Sequence, residues 1–505
     1  MHRSMRRATL ATTLLALAGC TVGPDYQPRS ASELGVPVAY SVPAPPTRED
    51  LTRWWQRFDD SVLGELVDQA ATANLDVVQA IARLRQARES LVQSRADLLP
   101  SLSGNTGYSR SETLRGGGQT ITLPDGTVQN VGGGGADNYS VGLSASYQLG
   151  LFGEVRRTVE ASRAQYQASG FDYATTVLSV QQEVARNYVL ARLYQAQLAN
   201  ARASLALQDD NLEIAGFRVQ AGLVSSLDQE QARQQRAQTA ATIPSLEQQY
   251  NAAVSRIGVL TAQAPGALKP RLAVARPIPA GAAPSGIGIP ADVLRQRPDV
   301  RAAERSLAAA TAQIGVAKAA LYPNLAITGN INTRAAGVGT LLDTVTGGLF
   351  AGITQAIFNG GRLNSQVRGQ EAAADAALAA YKSTVLTALE DVENAAVALD
   401  TARRREEQLT IAYEAANNAA ILSRSQYRTG LTDFTTLSQQ EATLLSTRNS
   451  AAQAQADAAT ALVQLFGALG GGWDAASVPE APARAASAPT LVQPAPTTTP
   501  SDGQP

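Results

Sequence analysis

Two kinds of hydrophobic pattern alternate along the chain, and they recur in the same order twice. Val177, Val180, Val184, Tyr188, Ala191, Tyr194 and Leu198 step by three or four, as do Val385, Leu389, Val392, Ala396 and Leu399. That spacing lines one face of an α-helix, and the abundant Ala lets neighbouring helices approach closely. The runs are long: 155–221 has no Pro and only Gly170 and Gly216 to weaken it, and 363–428 has no Pro and only Gly369. At 1.5 Å rise per residue each predicts a helix of roughly 100 Å. No globular core needs that length, so these helices bridge a distance.

The second pattern has period two. Tyr139, Val141, Leu143, Ala145, Tyr147 and Leu149 alternate with Ser140, Gly142, Ser144, Ser146 and Gln148. Leu325, Ile327, Gly329 and Ile331 alternate with Ala326, Thr328, Asn330 and Asn332, and 101–111 and 349–358 are weaker versions. Tilted strands of about ten residues fit the apolar band of an outer-membrane barrel, with Tyr108, Tyr139 and Tyr147 suited to its interfacial girdle. A soluble sandwich would show the same alternation. The tandem order helix–strand–strand–helix favours the membrane.

Self-comparison sets Leu98-Leu99-Pro100-Ser101-Leu102 beside Leu321-Tyr322-Pro323-Asn324-Leu325, and Leu151-Phe152-Gly153 beside Ile357-Phe358-Asn359. It also sets Ala221-Gly222-Leu223 beside Thr429-Gly430-Leu431. The first repeat is thus expected over 59–260: helices 59–98, strands 101–111 and 138–149, and a helical hairpin over 155–260. The second spans 291–473: helix 291–320, strands 324–333 and 349–358, and a hairpin over 363–467. Four strands cannot close a barrel, so the chain must oligomerise. Two copies give eight strands and a filled interior, whereas three give twelve and a pore, which the small Ser, Gly and Thr side chains of the polar face suit better.

Between the repeats, Pro recurs at 265, 270, 277, 279, 284 and 290, marking 261–290 as a linker or collar outside the helices. Residues 474–505 are rich in Ala, Pro and Thr and read as a disordered tail. The glycine runs 116–118 and 132–135 lie between strands, with no helix following to make a phosphate cradle, and read as flexible loop. At the amino terminus, 1–19 is a basic stretch followed by twelve apolar residues, too short to span a bilayer. It closes with Leu17-Ala18-Gly19-Cys20, which looks like a lipobox, so Cys20 is expected to carry diacylglycerol and an N-acyl chain as the start of an acylated collar segment, 20–58. Thr21 follows, without the Asp that resembles an inner-membrane retention signal.

Composition narrows the chemistry. The 505 residues hold 42 basic and 43 acidic side chains; the first nineteen contain three Arg and no acid, leaving 39 against 43. That balance gives no reason to expect a nucleic-acid partner. The only His is His2, the only Cys is Cys20, and Met1 and Met5 are the only methionines. Cys/His zinc sites, Ser-His-Asp and Cys-His catalysis, and internal disulfides are excluded, and neither an enzyme nor a cofactor is expected.

With these features in order, the sequence resembles the outer-membrane channel proteins of tripartite efflux pumps, the TolC-type, NodT-like lipoprotein branch. The resemblance rests on Cys20-Thr21-Val22-Gly23-Pro24-Asp25-Tyr26, Trp54-Trp55 with Phe58, Asn74-Leu75-Asp76, Arg297-Pro298-Asp299-Val300-Arg301, Tyr322-Pro323-Asn324-Leu325 and Phe358-Asn359-Gly360-Gly361-Arg362. It implies a mainly α fold with membrane β: a homotrimer whose 12-stranded β-barrel continues into a 12-helix periplasmic α-barrel. It also implies a place in the outer membrane of a Gram-negative cell, a periplasmic adaptor, and a proton-driven inner-membrane transporter as partners. Gly222-Leu223 and Gly430-Leu431 resemble the adaptor-docking tips, although each Gly also reads simply as a left-handed helix cap. Tyr427 and Asp228 match a pair that bonds to close the pore. Thr432 stands where some members carry an Arg, and Thr436 and Gln439 stand where some carry an acidic pair. Asp433 is expected either to form a threefold acidic ring or to cap its helix. A type I secretion duct would look nearly identical, and a structural coiled-coil envelope lipoprotein would explain the helices and Cys20 but not the paired strands.

Overall fold

The computed structural model describes residues 21–42, 49–112, 114, 119–124, 126–131 and 136–474. The leader 1–19, Cys20, the glycine runs at 116–118 and 132–135, and the tail from 475 onward lie outside the described residues. Seven main helices and six strands are described in chain order: α1 (Ser61–Ala73), α2 (Leu75–Ala96), β1 (Ser101–Ser111), β2 (Gln119–Thr122), β3 (Val128–Val131), β4 (Ala136–Leu149), α3 (Glu154–Gln220), α4 (Ser226–Leu260), α5 (Pro298–Ala319), β5 (Asn324–Ala335), β6 (Val345–Thr354), α6 (Arg362–Thr429) and α7 (Phe434–Ala468). Short helical turns occupy Trp54–Phe58, Lys269–Leu272 and Pro290–Gln296.

Three boundaries differ from the sequence expectation, each for a local reason. The helix expected over 59–98 is two: Asn74 leaves helical geometry, its side chain accepts from the N–H groups of Asp76 and Val77, and its amide donates to the Leu260 carbonyl at 2.8 Å. One residue thereby caps α2 and closes the end of α4. The helix expected over 291–320 breaks at Arg297, which is extended (ψ 124°) because it precedes Pro298. The last strand is Val345–Thr354 rather than 349–358, set by pairing of Thr333 with Val345 through Asn324 with Thr354. Ile357 and Phe358 stand beyond it, almost wholly exposed.

The duplication is regular in three dimensions. Helix α2 and helix α5 are both 22 residues, and α4 and α7 are both 35. Gly153 and Gly361 begin α3 and α6 at the N-cap with φ of 84° and 83°, a left-handed geometry cheap only for Gly. Gly153 therefore corresponds to Gly361, and the sequence pairing of Phe152 with Phe358 is corrected by two residues.

The four long strands form one antiparallel sheet in the order β1-β4-β5-β6, while β2 and β3 form a separate small hairpin. Directly paired residues share a face, so the registers sort the sheet completely. One face carries Leu102, Tyr108, Tyr139, Val141, Leu143, Tyr147, Leu325, Ile327, Ile331, Leu349 and Ile353. The other carries Ser101, Ser103, Asn105, Ser140, Ser144, Ser146, Thr328, Asn330, Asn332, Thr346 and Thr354, with Phe350 its one large apolar side chain. Among the described residues the edge strands are left uncovered: every residue of β1 and nine of the ten in β6 are exposed, whereas β4 and β5 are partly buried.

The principal core lies instead around the middle of the long helices. Trp54 stacks on Phe466 at 5.6 Å, Phe58 meets both edge-on, and Val184, Tyr188, Val385, Val392 and Leu462 are fully enclosed with them. Each such side chain contributes roughly 1.5–3 kcal/mol of burial. The buried Arg192 guanidinium lies over the Tyr188 ring and donates to the Leu272 and Val274 carbonyls, tying the proline-rich linker to α3.

Candidate functional site

The far ends of the two hairpins come together at a tip. Helix α3 ends in a Schellman motif, Gly222 N–H to Val219 O at 3.0 Å and Leu223 N–H to Arg218 O at 2.9 Å. Helix α6 repeats it with Gly430 N–H to Tyr427 O and Leu431 N–H to Gln426 O. Both glycines have positive φ (70° and 78°), satisfying the last carbonyls in a conformation unfavourable to any other residue. The next helices start at Ser225, which accepts from Leu227 N–H, and at Asp433, which accepts from Thr436 N–H at 2.7 Å. Backbone needs are met, yet Leu223 and Leu431 are left 73% and 79% exposed, with Phe217 and Leu227 also outward. The caps account for the glycines but not for the exposed leucines.

Behind the tip lies a small hydrophobic cluster separate from the main core: Ala215, Ala232, Tyr427, Phe434 and Leu437. The Tyr427 ring is 2% exposed and meets Phe434 edge-on at 6.0 Å. Arg218 covers it, with Cζ 4.3 Å from the ring centroid and Nη2 donating to the Tyr427 carbonyl at 2.9 Å. Burial pushes the Tyr427 phenol up, with Arg218 opposing. The expected bond from Tyr427 to Asp228 is not formed within the protomer: the hydroxyl is buried without a well-formed hydrogen bond. The ring lies in the cluster, and Asp228, half-buried, sits in the first turn of α4, where a carboxylate suits the helix dipole.

Asp433 is engaged as the N-cap of α7, and the Thr436 N–H holds its carboxyl below the usual aspartate value. Capping is therefore the role the protomer displays for it. Two further charges were not legible from sequence. Glu441, 5% exposed, accepts from Arg424 Nε at 3.0 Å and Asn211 Nδ2 at 2.7 Å, linking α7 to α6 and α3. The second is Arg218 itself. Only the helix-end spacing that places it one turn before Gly222 could have singled it out.

At the other end, the segment following Cys20 is fixed against the junction of β4 and α3. Thr21 packs on Gly153, and Val22 N–H donates to Phe152 O at 3.2 Å. The buried Arg157 donates to the Val22 and Gly23 carbonyls and to Asp25 at 2.6 Å. Gly23 has φ of 98°, and a Cβ there would lie 2.5 Å from the Gly315 Cα. Phe152 stacks on Tyr322 at 4.7 Å at the same level. Among the described residues, no group of three or more His, Cys, Asp or Glu could hold a metal, and no helix is long and apolar enough to cross a membrane.

Comparison with known proteins identifies the architecture. The family model described as outer membrane efflux protein matches residues 66–263 and 289–471. Nodulation protein T of Rhizobium leguminosarum bv. trifolii is 33% identical over 472 residues, covering 91% of this chain and 96% of that protein. Pyoverdine export outer membrane protein OpmQ of Pseudomonas aeruginosa is 31% identical, covering 93% and 98%. Among solved structures, the outer-membrane channel OprN superposes with a TM-score of 0.79 at 33% identity, covering 90% of this chain and 100% of that one. The Campylobacter jejuni CmeC outer membrane channel, at 23% identity and a TM-score of 0.78, shares the fold.

Proposed function

Since the chain belongs to the outer membrane efflux protein family, as the channel component of an efflux pump and not an enzyme, we propose that it acts as a passive conduit opened at its hairpin tips. Three copies would bring twelve strands into the outer membrane and twelve helices into the periplasm. Small molecules delivered by an inner-membrane transporter, proton-driven and joined through a periplasmic adaptor, would leave through the shared lumen. The observation that carries this reading is the sheet, apolar on one face and Ser/Thr/Asn-rich on the other, open at both edges and continuous with helices that reach far from it.

Gly222, Leu223, Gly430 and Leu431 are proposed as the surface that meets the adaptor, because they leave exposed leucines on a rigidly capped turn. Tyr427 is proposed as the closing element, with Arg218 as its direct partner; Asp228, whose charge helps raise the phenol, is proposed as a second gate residue beside it. Asp433 is proposed to hold the second tip in shape through its cap. Cys20 is proposed to carry the acyl chains, since Thr21 is pinned where strands give way to helices, the level at which a lipid anchor belongs.

Single-channel conductance of the acylated trimer in planar bilayers tests the whole reading. A small wild-type conductance that rises in Arg218→Ala is the expected result. Folded trimers that insert but never conduct would overturn the conduit and favour an envelope spacer.

A further inference from the structure

On the polar face of the sheet one residue is out of keeping. Phe350 closes the row Ser101, Ser146, Thr328, Phe350, in which every other side chain carries a hydroxyl. It is 67% exposed, so most of its surface meets no described residue. The fold does not ask for it either. The two repeats superpose in register with Ser101 set on Asn324 and Ser146 on Thr354, which carries the Asn105–Gly142 pair onto the Thr328–Phe350 pair. The same strand position in the first repeat is therefore Gly142, without a side chain. A sheet that forms equally well around Gly has no packing need for a ring.

The surroundings are shaped to take it. The ring leans along its strand over Gly352, the next residue on the same face: a Cβ there would lie 2.6 Å from Phe350 Cε1 and 2.9 Å from Cζ. Ala326, paired with Gly352, is also small. On the other side, Gly348 leaves room for its partner Asn330, whose Oδ1 would lie 2.8 Å from a Cβ at Gly348. Phe350 is thus flanked by two glycines on its own strand, with the Thr328 hydroxyl and the Asn330 amide on the strand beside it. Exposed aromatic surface next to hydrogen-bonding groups suits a flat ring that bears polar substituents, since aromatic pairs gain from stacking beyond the area they bury.

We propose that Phe350 is a cargo-contacting residue of the lumen, one per copy, on which aromatic small molecules are held briefly as they pass the strands. This role rests on the channel reading, which turns the polar face to water and the apolar face to lipid. On a wall of Ser, Thr, Asn and Gly, a ring-bearing molecule meets Phe350 as the one large apolar side chain of the sheet, and solutes without a ring pass it without preference.

Ethidium, a flat aromatic cation with two amino groups, is the probe, and its binding to the full-length oligomer in lipid nanodiscs is read by fluorescence anisotropy. Wild type should bind it saturably. Phe350→Ala and Phe350→Leu should each weaken that binding by about fivefold or more, because Leu restores an apolar side chain but not a stacking face, whereas Phe350→Trp should keep it. No saturable binding to wild type, or wild-type affinity in either Phe350→Ala or Phe350→Leu, would overturn the contact. Thiol labelling tests the placement: in the assembled oligomer a charged, water-soluble maleimide should modify Phe350→Cys at least tenfold faster than Ala351→Cys, its neighbour on the apolar face. Protection of the Phe350→Cys thiol would mean that another copy or an outer loop covers the position, and would equally overturn the proposal. Conductance of the same preparations separates the two readings. An oligomer that conducts but binds ethidium independently of Phe350 loses this contact and keeps the channel, whereas one that inserts and never conducts removes the channel itself.

Discussion

At the hairpin tips each helix end is closed by its own chain, whereas at the strand end two edges and a whole apolar face are left open. The tip closes its carbonyls with Gly222 and Gly430, its N–H groups with Ser225 and Asp433, and encloses Tyr427 under Arg218. The sheet leaves β1 and β6 unpaired on one side and exposes Leu102, Leu143, Leu349 and Ile353. In water such an edge invites uncontrolled pairing. On the channel reading proposed above, the contrast separates what one chain folds for itself from what it would complete only with lipid and other copies. It also explains the position of the main core, around Trp54 and Phe466 between the two ends: the protomer must be stable before either end does its work.

The sharpest way to break the comparison is to put charge on the open face. Leu143→Arg should cost about 2–4 kcal/mol per copy near the bilayer midplane. Assembled oligomer in outer-membrane fractions should fall severely, with helical circular dichroism retained. Ser144→Arg, one residue away on the polar face, should assemble normally. Equal behaviour of the two would mean that the face assignment is wrong.

The next effect belongs to the segment that follows Cys20. Gly23→Ala meets both an unfavourable backbone angle and the Gly315 backbone, at about 1–3 kcal/mol for the strain. Limited proteolysis should then cut within 21–30 at least tenfold faster, while the helical core melts unchanged.

At the tip, the comparison is sharpened by two substitutions with opposite expectations. Arg218→Ala removes a cation–π contact of about 0.5–2 kcal/mol and a hydrogen bond to the Tyr427 carbonyl, and channel conductance should rise. Tyr427→Phe removes only a hydroxyl with no well-formed partner, so conductance and melting temperature should stay near wild type. A large increase in conductance from Tyr427→Phe would restore a bond to Asp228 as the closing contact.

Much of this was legible in the chain. Long helices without Pro, period-two strands and the tandem repeat fixed the architecture, because those patterns are one-dimensional images of helix and sheet faces. The paired glycines marked the tips for the same local reason. What escaped depended on side chains meeting across elements. Nothing in the spacing of Arg218 and Tyr427 reveals that a guanidinium covers the ring, or that Glu441 is buried against Arg424 and Asn211. The strand expected over 349–358 was displaced because Gly347 and Gly348 weaken its alternation, while its limits are set by a partner, β5. Breaks at Asn74 and Arg297 came from a cap and a following Pro, signals that long apolar periodicity obscures.

The smallest effect separates the two roles considered for Asp433. Its carboxyl is held below the ordinary aspartate value of 3.8 chiefly by the Thr436 N–H. The folded chain therefore binds that proton less readily than the unfolded one, so the contribution is complete above the ordinary value and is lost as pH falls through the lowered one. Asp433→Ala should lower stability slightly and by a constant amount from pH 5 to 8, and the difference from wild type should shrink at lower pH as the charge-dependent part of the cap is lost, whereas Asp433→Asn, which can also cap, should stay close to wild type. A threefold acidic ring predicts the reverse: removing three converging charges would relieve repulsion, and both substitutions would stabilise the closed tip at neutral pH, more so at low salt. Melting curves of the trimer at two salt concentrations decide between them, because a cap is indifferent to the other copies and a ring is not.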